Sequence, residues 1–219
     1  IVDDGEGMDK DDIAMSVQQS ATSKIREFSD LGRLGSFGFR GEALAATASV
    51  SKMSISSTLR GSSQGYRVDI NGGEVSGPFA SGAREGTVIE VRDLFYNTPV
   101  RKKFLKSERS ESAALAKVLY RFAFAYPEHG FEMTSMGKKK YSFLPGESVL
   151  ERFEKIFKQK LFKFETESHG IRISACLSAP HEHQASSIRI FVYINGRYVK
   201  DRGISQALSR AYEGMIPPG

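Results

Sequence analysis

The chain has 219 residues, 40% of them hydrophobic and 26% charged, which is typical of a globular protein of one or two domains and excludes a disordered or low-complexity chain. No apolar run reaches the roughly 18 residues that a membrane-spanning helix needs, and the single cysteine, Cys176, excludes an internal disulfide. A total of 31 basic against 26 acidic residues gives a net charge of +5, which permits a nucleic-acid partner without requiring one.

The two ends of the chain look incomplete. The sequence begins at Ile1 rather than Met, no signal-peptide pattern follows, and Ile1-Val2 has the composition of the end of a strand. At the other end, Pro217–Gly219 is a turn signal after a helical pattern. We therefore expect the chain to be part of a longer protein, with both of its domains truncated.

The first 145 residues combine helical and strand patterns. Asp9 can cap a first helix, and an alanine-rich helix begins at Glu42. Between them, Ser20–Gly41 is a long connection punctuated by glycines, and connections of this length tend to be functional lids. Alternating or amphipathic patterns then predict three strands, a helix and a hairpin, at Met53–Thr58, Tyr66–Asn71, Thr87–Arg92, Ser110–Tyr126, and Phe131–Ser135 with Lys140–Leu144.

The segment Leu144–Ser148 has the composition of a turn and is the best candidate for a domain boundary. After it, the apolar residues of Val149–Phe157 follow helical spacing. Two strands and a short helix follow, at Ile171–Ala179, Ser187–Ile194 and Ile204–Tyr212. The sequence therefore predicts two α+β domains, 1–145 and 146–219.

The start of the chain carries a motif with chemical content, Asp3-x-Gly5-x-Gly7. A carboxylate at the end of a strand can accept a hydrogen bond from an exocyclic amine, and glycines without a Cβ let a flat ring approach the backbone. Taken alone, the motif is equally typical of a surface turn or a loose cation loop. An EF-hand is excluded because the oxygen ligands and the terminal Glu are not at the required spacing.

Three further elements accompany this motif. Thr22, Ser23 and Lys24 offer two hydroxyls and an ammonium at the start of the glycine-rich connection. Gly38–Gly41 runs directly into a helix, whose free backbone N–H groups and dipole favour a phosphate. Gly86-Thr87 opens a strand and supplies a hydroxyl. Neither a P-loop nor a Rossmann fingerprint is present.

These four elements, in this order, resemble the ATP-binding fold shared by DNA gyrase, Hsp90, histidine kinases and MutL. The strings ATSKI (Ala21–Ile25), GFRGEAL (Gly38–Leu44), DLFYNTPVRKKFL (Asp93–Leu105) and VYINGRYVKDR (Val192–Arg202) resemble the MutL family of DNA mismatch repair proteins in particular. The resemblance covers essentially the whole chain. It implies a two-layer α/β sandwich of the GHKL (Bergerat) type, followed by a smaller α+β transducer domain.

The resemblance also implies roles for particular residues toward ATP and Mg²⁺. Asp3 would accept from the adenine amine, with Gly5 and Gly7 close to the base and Thr87 in support, in part through water. The sugar-phosphate contacts would come from Thr22, Ser23 and Lys24, and the phosphate contacts from amides around Gly38, Phe39, Arg40 and Gly41. Phe39 is expected to be a packing wedge, whereas for Arg40 a lid salt bridge and a phosphate contact remain equal alternatives.

Part of the family's catalytic set has no counterpart in this chain. The resemblance implies a Glu that activates water and an Asn that binds magnesium, both on a helix before the first strand, and a Lys after the second domain that meets the γ-phosphate. No residue of the chain is therefore assigned as general base or metal ligand. We expect no ATPase activity from the chain alone and slow hydrolysis by the longer protein.

Basic residues form three runs that can meet DNA phosphates without reading sequence. We assign Arg197, Lys200 and Arg202 to DNA, since the MutL family is similar here. Lys138–Lys140 is better explained as a solvated hairpin, and Arg101–Lys103 remains open between a structural role and DNA. His181-x-His183 is a weak metal candidate, and Cys176 lies among apolar residues and favours packing.

The resemblance finally implies a mechanism and a set of partners. ATP would order the lid and drive dimerisation with a second copy or a paralogue, and the dimer would hold DNA and recruit a MutS-type mismatch sensor and a downstream nuclease or helicase. The place of action would be the cytoplasm, at the nucleoid, in a bacterium, or the nucleus in a eukaryote, with no membrane partner. The alternatives are a non-hydrolysing scaffold for DNA or protein partners and a gyrase- or kinase-type ATPase.

Overall fold

The computed structural model describes residues 1–18, 42–82, 84–182 and 189–215. The chain divides into two compact units, Ile1–Leu105 and Lys106–Gly219. The whole of the predicted lid, Ser20–Gly41, lies outside the described residues. Within the described ranges, every helix is too short or too polar to cross a bilayer.

The first unit is built on an antiparallel sheet of five strands in the order β1-β5-β2-β3-β4. Its strands are β1 (Val2–Asp3), β2 (Lys52–Thr58), β3 (Gly65–Asn71), β4 (Glu74–Ser81) and β5 (Gly86–Arg92), and its helices are α1 (Lys10–Met15), α2 (Ala43–Ala48) and α3 (Pro99–Lys102). The short strand β1 therefore lies at one edge, beside β5, and two strands, β5 and β2, separate it from β3.

Alternation along β2 separates the two faces of this sheet. Met53 and Ile55 are buried on one face, where Ile13 of α1 and Ala48 of α2 belong to the same apolar cluster. Lys52, one position away from Met53, is exposed on the opposite face, as the period of two in a strand requires. Helices thus cover one face and the other stays polar, which confirms the predicted two-layer arrangement.

The second unit packs helices against three antiparallel hairpins. Its elements are α4 (Glu108–Ala125), β6 (Phe131–Ser135), β7 (Lys138–Phe143), α5 (Val149–Phe157), β8 (Leu161–Ser168), β9 (Ile171–Ser178), β10 (Val192–Ile194), β11 (Arg197–Val199) and α6 (Arg202–Ala211). The core is aromatic: Tyr120 and Phe124 of α4 pack with Phe143 and with Phe153 of α5. The α4–α5 pair therefore shares one core with the β6–β7 hairpin.

A charged side chain lies at the centre of this second unit. Arg152 of α5 is fully buried. Its guanidinium donates to the carbonyls of Ala123 at 2.6 Å, Tyr126 at 3.2 Å, Pro127 at 2.8 Å, His129 at 2.8 Å and Leu144 at 2.6 Å. These carbonyls belong to the end of α4, the loop after it and the residue after β7, so one side chain joins three segments. Desolvation of the guanidinium lowers the pKa of Arg152 from its usual value.

Most predicted elements are confirmed, and others differ from the prediction. The Asp9 carboxylate caps α1 by accepting from the N–H groups of Asp11 and Asp12 at 2.9 and 2.8 Å. The predicted strand Ser187–Ile194 is wrong over residues 189–191, because β10 begins only at Val192, and residues 187–188 lie outside the described residues. Strand β8 is not among the predicted elements, although Phe162 and Phe164 alternate with charged residues in a strand pattern.

Compactness and sequence composition place the domain boundary at different positions. The compact units divide after Leu105, because the aromatic core of α4 includes Phe143 and Phe153. The turn composition of Leu144–Ser148 instead predicts a boundary between domains 1–145 and 146–219. A core shared across residue 146 is compatible with either definition of a domain, so the boundary at 146 stays a prediction.

Candidate functional site

The Asp3–Gly7 motif begins at the edge strand β1 and crosses toward the end of β2. Asp3 pairs directly with Thr87 of β5. The Gly5 N–H donates to Asp3 Oδ1 at 3.0 Å, while the carboxylate itself is exposed. A Cβ on Gly5 would lie 2.9 Å from that same oxygen. The missing side chain of Gly5 therefore lets its own amide orient the Asp3 carboxylate.

Gly7 is required by the protein's own backbone. It has φ of +75°, and a Cβ there would lie 2.0 Å from the carbonyl oxygen of Thr58 at the end of β2. The adjacent loop is held by Arg60, whose N–H donates to Glu6 O at 2.8 Å and whose guanidinium donates to Asp4 O at 2.9 Å. The motif thus lies in backbone contact with the β2 end, and its path depends on glycine.

Ser57 connects this loop to β5. Its side chain is fully buried, and its Oγ accepts from the Met8 N–H at 2.8 Å and lies 3.0 Å from both Gly86 O and Thr87 Oγ1. Nothing in the sequence alone assigns Ser57 to the site. The available signal is an interruption of the apolar alternation in β2. Met53 and Ile55 predict a third apolar residue at position 57, where the sequence has a serine.

Asp3, Thr87 and Ser57 lie in a row across three strands. Asp3 pairs with Thr87, and Thr87 pairs with Ser57. Side chains of directly opposed residues in an antiparallel sheet point to the same face. For Ser57 this is the face of Met53 and Ile55, which the helices cover. The row therefore places a carboxylate and a hydroxyl at one end of the helix-covered face, where both can accept hydrogen bonds from a ligand.

The segment after β5 holds the end of α2 against the sheet. Asn97 Nδ2 donates to Ser49 O at 2.9 Å, and the Phe95 N–H donates to Val50 O. Phe95 has φ of +63°, a strained value for an aromatic residue, and such strain persists only where the surroundings enforce it. Lys52 pairs with Asp93 at 2.9 Å, and this hydrogen bond raises the pKa of Lys52 and lowers that of Asp93.

The structure brings together only part of the predicted site. Asp3, Gly5, Gly7 and Thr87 meet at the ends of β1, β2 and β5. The other predicted nucleotide contacts, which are Thr22, Ser23, Lys24, Gly38, Phe39, Arg40 and Gly41, lie outside the described residues. Among the residues that are described, no group of three or more His, Cys, Asp and Glu side chains could hold a metal ion.

The predicted DNA residues surround the β10–β11 hairpin. Arg197 opens β11 and is half-buried, whereas Lys200 and Arg202 are exposed, directly after β11 and at the start of α6. The hairpin turn at Asn195-Gly196 has positive φ at both residues, as a tight two-residue turn demands. These three basic residues therefore follow a sharply defined turn within six positions of sequence.

Contacts with α4 hold this hairpin. The Tyr126 hydroxyl donates to Gly196 O at 2.9 Å, and the Tyr193 hydroxyl donates to Arg121 O at 3.0 Å. The Arg121 guanidinium lies over the ring of Tyr198, 4.3 Å from its centroid. These two hydrogen bonds and one cation–π contact hold the hairpin against α4 and the residue that follows it.

The remaining candidates have simpler explanations. Lys138 and Lys140 are exposed on β7, in agreement with a solvated hairpin, and Arg101–Lys103 is exposed at α3. Cys176 is half-buried on β9, and burial raises the pKa of its thiol, which disfavours the nucleophilic thiolate. His181 lies in a short 3₁₀ turn, and His183 lies outside the described residues.

Two protein families match this chain, one in its first part and one in its second part. The family described as histidine kinase-, DNA gyrase B- and HSP90-like ATPase matches residues 1–77, and the family described as DNA mismatch repair protein, C-terminal domain, matches residues 149–219. Proteins named DNA mismatch repair protein MutL from Anaeromyxobacter dehalogenans and Geobacter sulfurreducens are each 36% identical, covering 100% of this chain and 37% of the relative. The chain therefore spans little more than a third of the length of these curated relatives.

Solved structures agree with the sequence relatives. The Aquifex aeolicus MutL ATPase domain complexed with ADP has a TM-score of 0.71 at 27% identity, covering 95% of this chain and 73% of that chain. Another structure of the Aquifex aeolicus MutL ATPase domain is 30% identical with a TM-score of 0.62, covering 78% of this chain and 69% of that chain. These likenesses confirm the predicted GHKL fold class and favour MutL over the gyrase- and kinase-type alternatives. The chain belongs to the MutL family of DNA mismatch repair proteins.

Proposed function

We propose that the first unit binds ATP, with the adenine amine at the Asp3 carboxylate. The observation that carries the proposal is the exposed carboxylate of Asp3, which the Gly5 amide orients beside Thr87. A carboxylate accepts hydrogen bonds only, so it suits the 6-amino group of adenine. The Aquifex aeolicus MutL ATPase domain was solved as a complex with ADP, which supports an adenine nucleotide as the ligand of this fold.

The described residues fit the base of the nucleotide, and the phosphates depend on other residues. Gly7 lets the loop after Asp3 lie against the carbonyl of Thr58, and this path leaves the Asp3 carboxylate exposed for the base. We propose phosphate contacts from Thr22, Ser23, Lys24 and the Gly38–Gly41 amides. ATP supplies the phosphoanhydride bond whose hydrolysis can reset the site. For Mg²⁺, the described residues contain no group of three or more His, Cys, Asp or Glu side chains that could hold the ion.

Replacement of Asp3 tests this function. In Asp3→Asn, Oδ1 can still accept from the Gly5 N–H, but the other oxygen becomes an NH₂ donor that faces the adenine amine. We expect ATP affinity to fall by about 10- to 30-fold, the effect of losing a hydrogen bond to a charged group. Isothermal titration calorimetry on the protein at its full natural length measures this loss.

The neighbouring residue provides the matched control. Asp4 is also exposed, and within the described part of the chain its hydrogen bond is made by its backbone carbonyl, which accepts from Arg60, so Asp4→Asn removes the same charge beside the same loop. We expect ATP affinity to be retained in Asp4→Asn. Equal affinities for the unsubstituted protein and Asp3→Asn would contradict the assignment of Asp3.

For the whole protein we propose a slow ATPase of DNA mismatch repair, in the cytoplasm of a bacterial cell. Nucleotide binding would order the Ser20–Gly41 lid and favour a dimer with a second copy or a paralogue, which is a shift between two pre-existing states. DNA, a MutS-type mismatch sensor and a downstream nuclease or helicase would be its partners. The MutL names of the relatives support this proposal, since mismatch repair is stated in those names.

The DNA contacts proposed for Arg197, Lys200 and Arg202 have a salt-dependent test. Replacing the exposed pair Lys200 and Arg202 by Gln should weaken binding to a duplex about tenfold, whatever its sequence, because phosphate contacts carry no sequence information. The slope of log affinity against log salt should fall by about two, or roughly one per lost contact. Fluorescence anisotropy at several salt concentrations measures both quantities.

Two other lysines supply a control of equal charge. Lys138 and Lys140 are exposed on β7, so replacing both by Gln lowers the net charge by the same amount at a different place. Affinity and salt slope should then stay close to those of the unsubstituted protein. A similar loss in both double variants would show that net charge, and not the surface after β11, attracts DNA.

A further inference from the structure

Ser57 lies beneath the proposed adenine position, and its hydrogen bonds form a closed set. The Met8 N–H donates to Ser57 Oγ at 2.8 Å, and Ser57 Oγ lies 3.0 Å from Gly86 O and 3.0 Å from Thr87 Oγ1. The side chain is completely buried, so water cannot replace any of these partners. Each partner must therefore be satisfied within the protein.

The direction of these hydrogen bonds follows from the groups themselves. A serine hydroxyl has one hydrogen and two lone pairs. The Gly86 carbonyl can only accept, so its contact requires the Ser57 hydrogen. Ser57 Oγ then accepts from the Met8 N–H and, with its second lone pair, from the Thr87 hydroxyl. Thr87 has thus directed its only hydroxyl hydrogen inward, and its Oγ1 offers lone pairs alone to a ligand.

This polarity matches the chemistry of one class of purine. Asp3 and Thr87 are directly opposed on the same face, and both offer acceptors. Adenine carries a 6-amino donor, whereas guanine and hypoxanthine carry a 6-oxo acceptor. A 6-oxo group would meet two acceptors without a hydrogen between them, and unpaired polar groups of this kind are the strongest source of discrimination at a binding site.

We propose that Ser57 is a positioning residue that holds the Thr87 hydroxyl as an acceptor and so makes the site select 6-amino over 6-oxo purine nucleotides. This inference rests on the proposed ATP site. Without Ser57 the Thr87 hydroxyl can turn and donate to a 6-oxo group, while the Met8 amide loses its acceptor and the loop loosens.

The test compares ATP with inosine triphosphate, in which a 6-oxo group replaces the amine. Calorimetry on the full-length protein should show that Ser57→Ala lowers the ratio of ATP to inosine triphosphate affinity by about tenfold, the effect of one redirected hydrogen bond. A purely structural role would weaken both nucleotides equally and leave this ratio unchanged.

Ser51 offers a closely matched control. It is also completely buried in the same unit, and its hydroxyl donates to Thr47 O at 2.7 Å, away from the Asp3 row. Ser51→Ala should also lower the melting temperature, by less than Ser57→Ala because one hydrogen bond is lost instead of three, and keep the affinity ratio of the unsubstituted protein. If Ser57→Ala does not fold, Ser57→Cys replaces it, because a thiol keeps the shape but is a weak donor and acceptor.

The outcomes separate this inference from the proposed function. An unchanged ratio in the Ser57 variant, with ATP binding that still depends on Asp3, would overturn the role of Ser57 alone. Failure of the unsubstituted protein to bind ATP would overturn both proposals. A lowered ratio in Ser57→Ala and in Ser51→Ala alike would also overturn the inference, since selection would then follow from general loosening of the sheet.

Discussion

Replacing Arg152 by Met should lower the free energy of unfolding of the second unit by about 3–4 kcal/mol, because five buried or partly buried carbonyls lose hydrogen bonds from a charged donor. Met has nearly the same length and is apolar, so the loss reports the missing hydrogen bonds rather than a large cavity. Urea denaturation followed by circular dichroism measures the change.

Two further variants test whether the several N–H donors of the Arg152 guanidinium account for the loss of stability. Arg152→Lys keeps the charge but has three donors on one nitrogen, so we expect an intermediate loss. Lys117 is exposed on α4, and Lys117→Met, which makes a basic residue apolar on the surface, should change stability by less than about 0.5 kcal/mol. A midpoint for Arg152→Met equal to that of Lys117→Met would show that the buried guanidinium contributes nothing net to stability.

Arg152 also shows where prediction from sequence ends. Val149, Leu150 and Phe153 define the apolar stripe of α5, and a basic residue beside that stripe is normally assigned to solvent. The carbonyls that it binds come from the end of α4 and from Leu144, up to 29 positions away in sequence. Helical spacing describes only one element, so it cannot indicate carbonyls that converge from others.

Features that depend on residues close together in the sequence are predicted well. The alternation in β2 and the Asp9 cap of α1 are local patterns, and the structure confirms both. The turn at Asn195-Gly196 is also confirmed, because the residues that tolerate positive φ are few. Strand β10 is shorter than its β-branched and apolar composition indicates, since composition does not specify where a partner strand ends.

The candidate site also contains residues that the sequence predicts and a residue that it does not. Asp3 and Thr87 come from motifs whose residue types suggest their chemistry, and the structure pairs them on adjacent strands. Ser57 has no motif of its own, and its importance appears only once β2 brings it opposite Thr87. For Gly7 the sequence indicates a glycine that gives a flat ring access to the backbone. The structure adds a more direct reason for this glycine, since a Cβ there would clash with the carbonyl of Thr58.

Because of this clash with Thr58, we expect Gly7→Ala to have a large effect on ATP affinity. The added Cβ would lie 2.0 Å from Thr58 O and 2.6 Å from Thr58 C, and neither backbone atom can move away by a change of rotamer. The loop must shift instead, which moves the carboxylate of Asp3 away from the position beside Thr87. We expect ATP affinity to fall by at least about 100-fold, or roughly 2.7 kcal/mol, in calorimetry on the full-length protein.

Gly61 separates this clash from backbone strain. It has φ of +79°, close to that of Gly7, but a Cβ there would meet nothing within 4 Å. Gly61→Ala should therefore cost about 1 kcal/mol of stability through the left-handed conformation alone and leave ATP affinity intact. Gly5→Ala should lie between the two for ATP affinity, because its Cβ would press on Asp3 Oδ1, the end of a side chain that can turn. If Gly7→Ala binds ATP as tightly as Gly61→Ala, the path of the loop across Thr58 is not what orients Asp3.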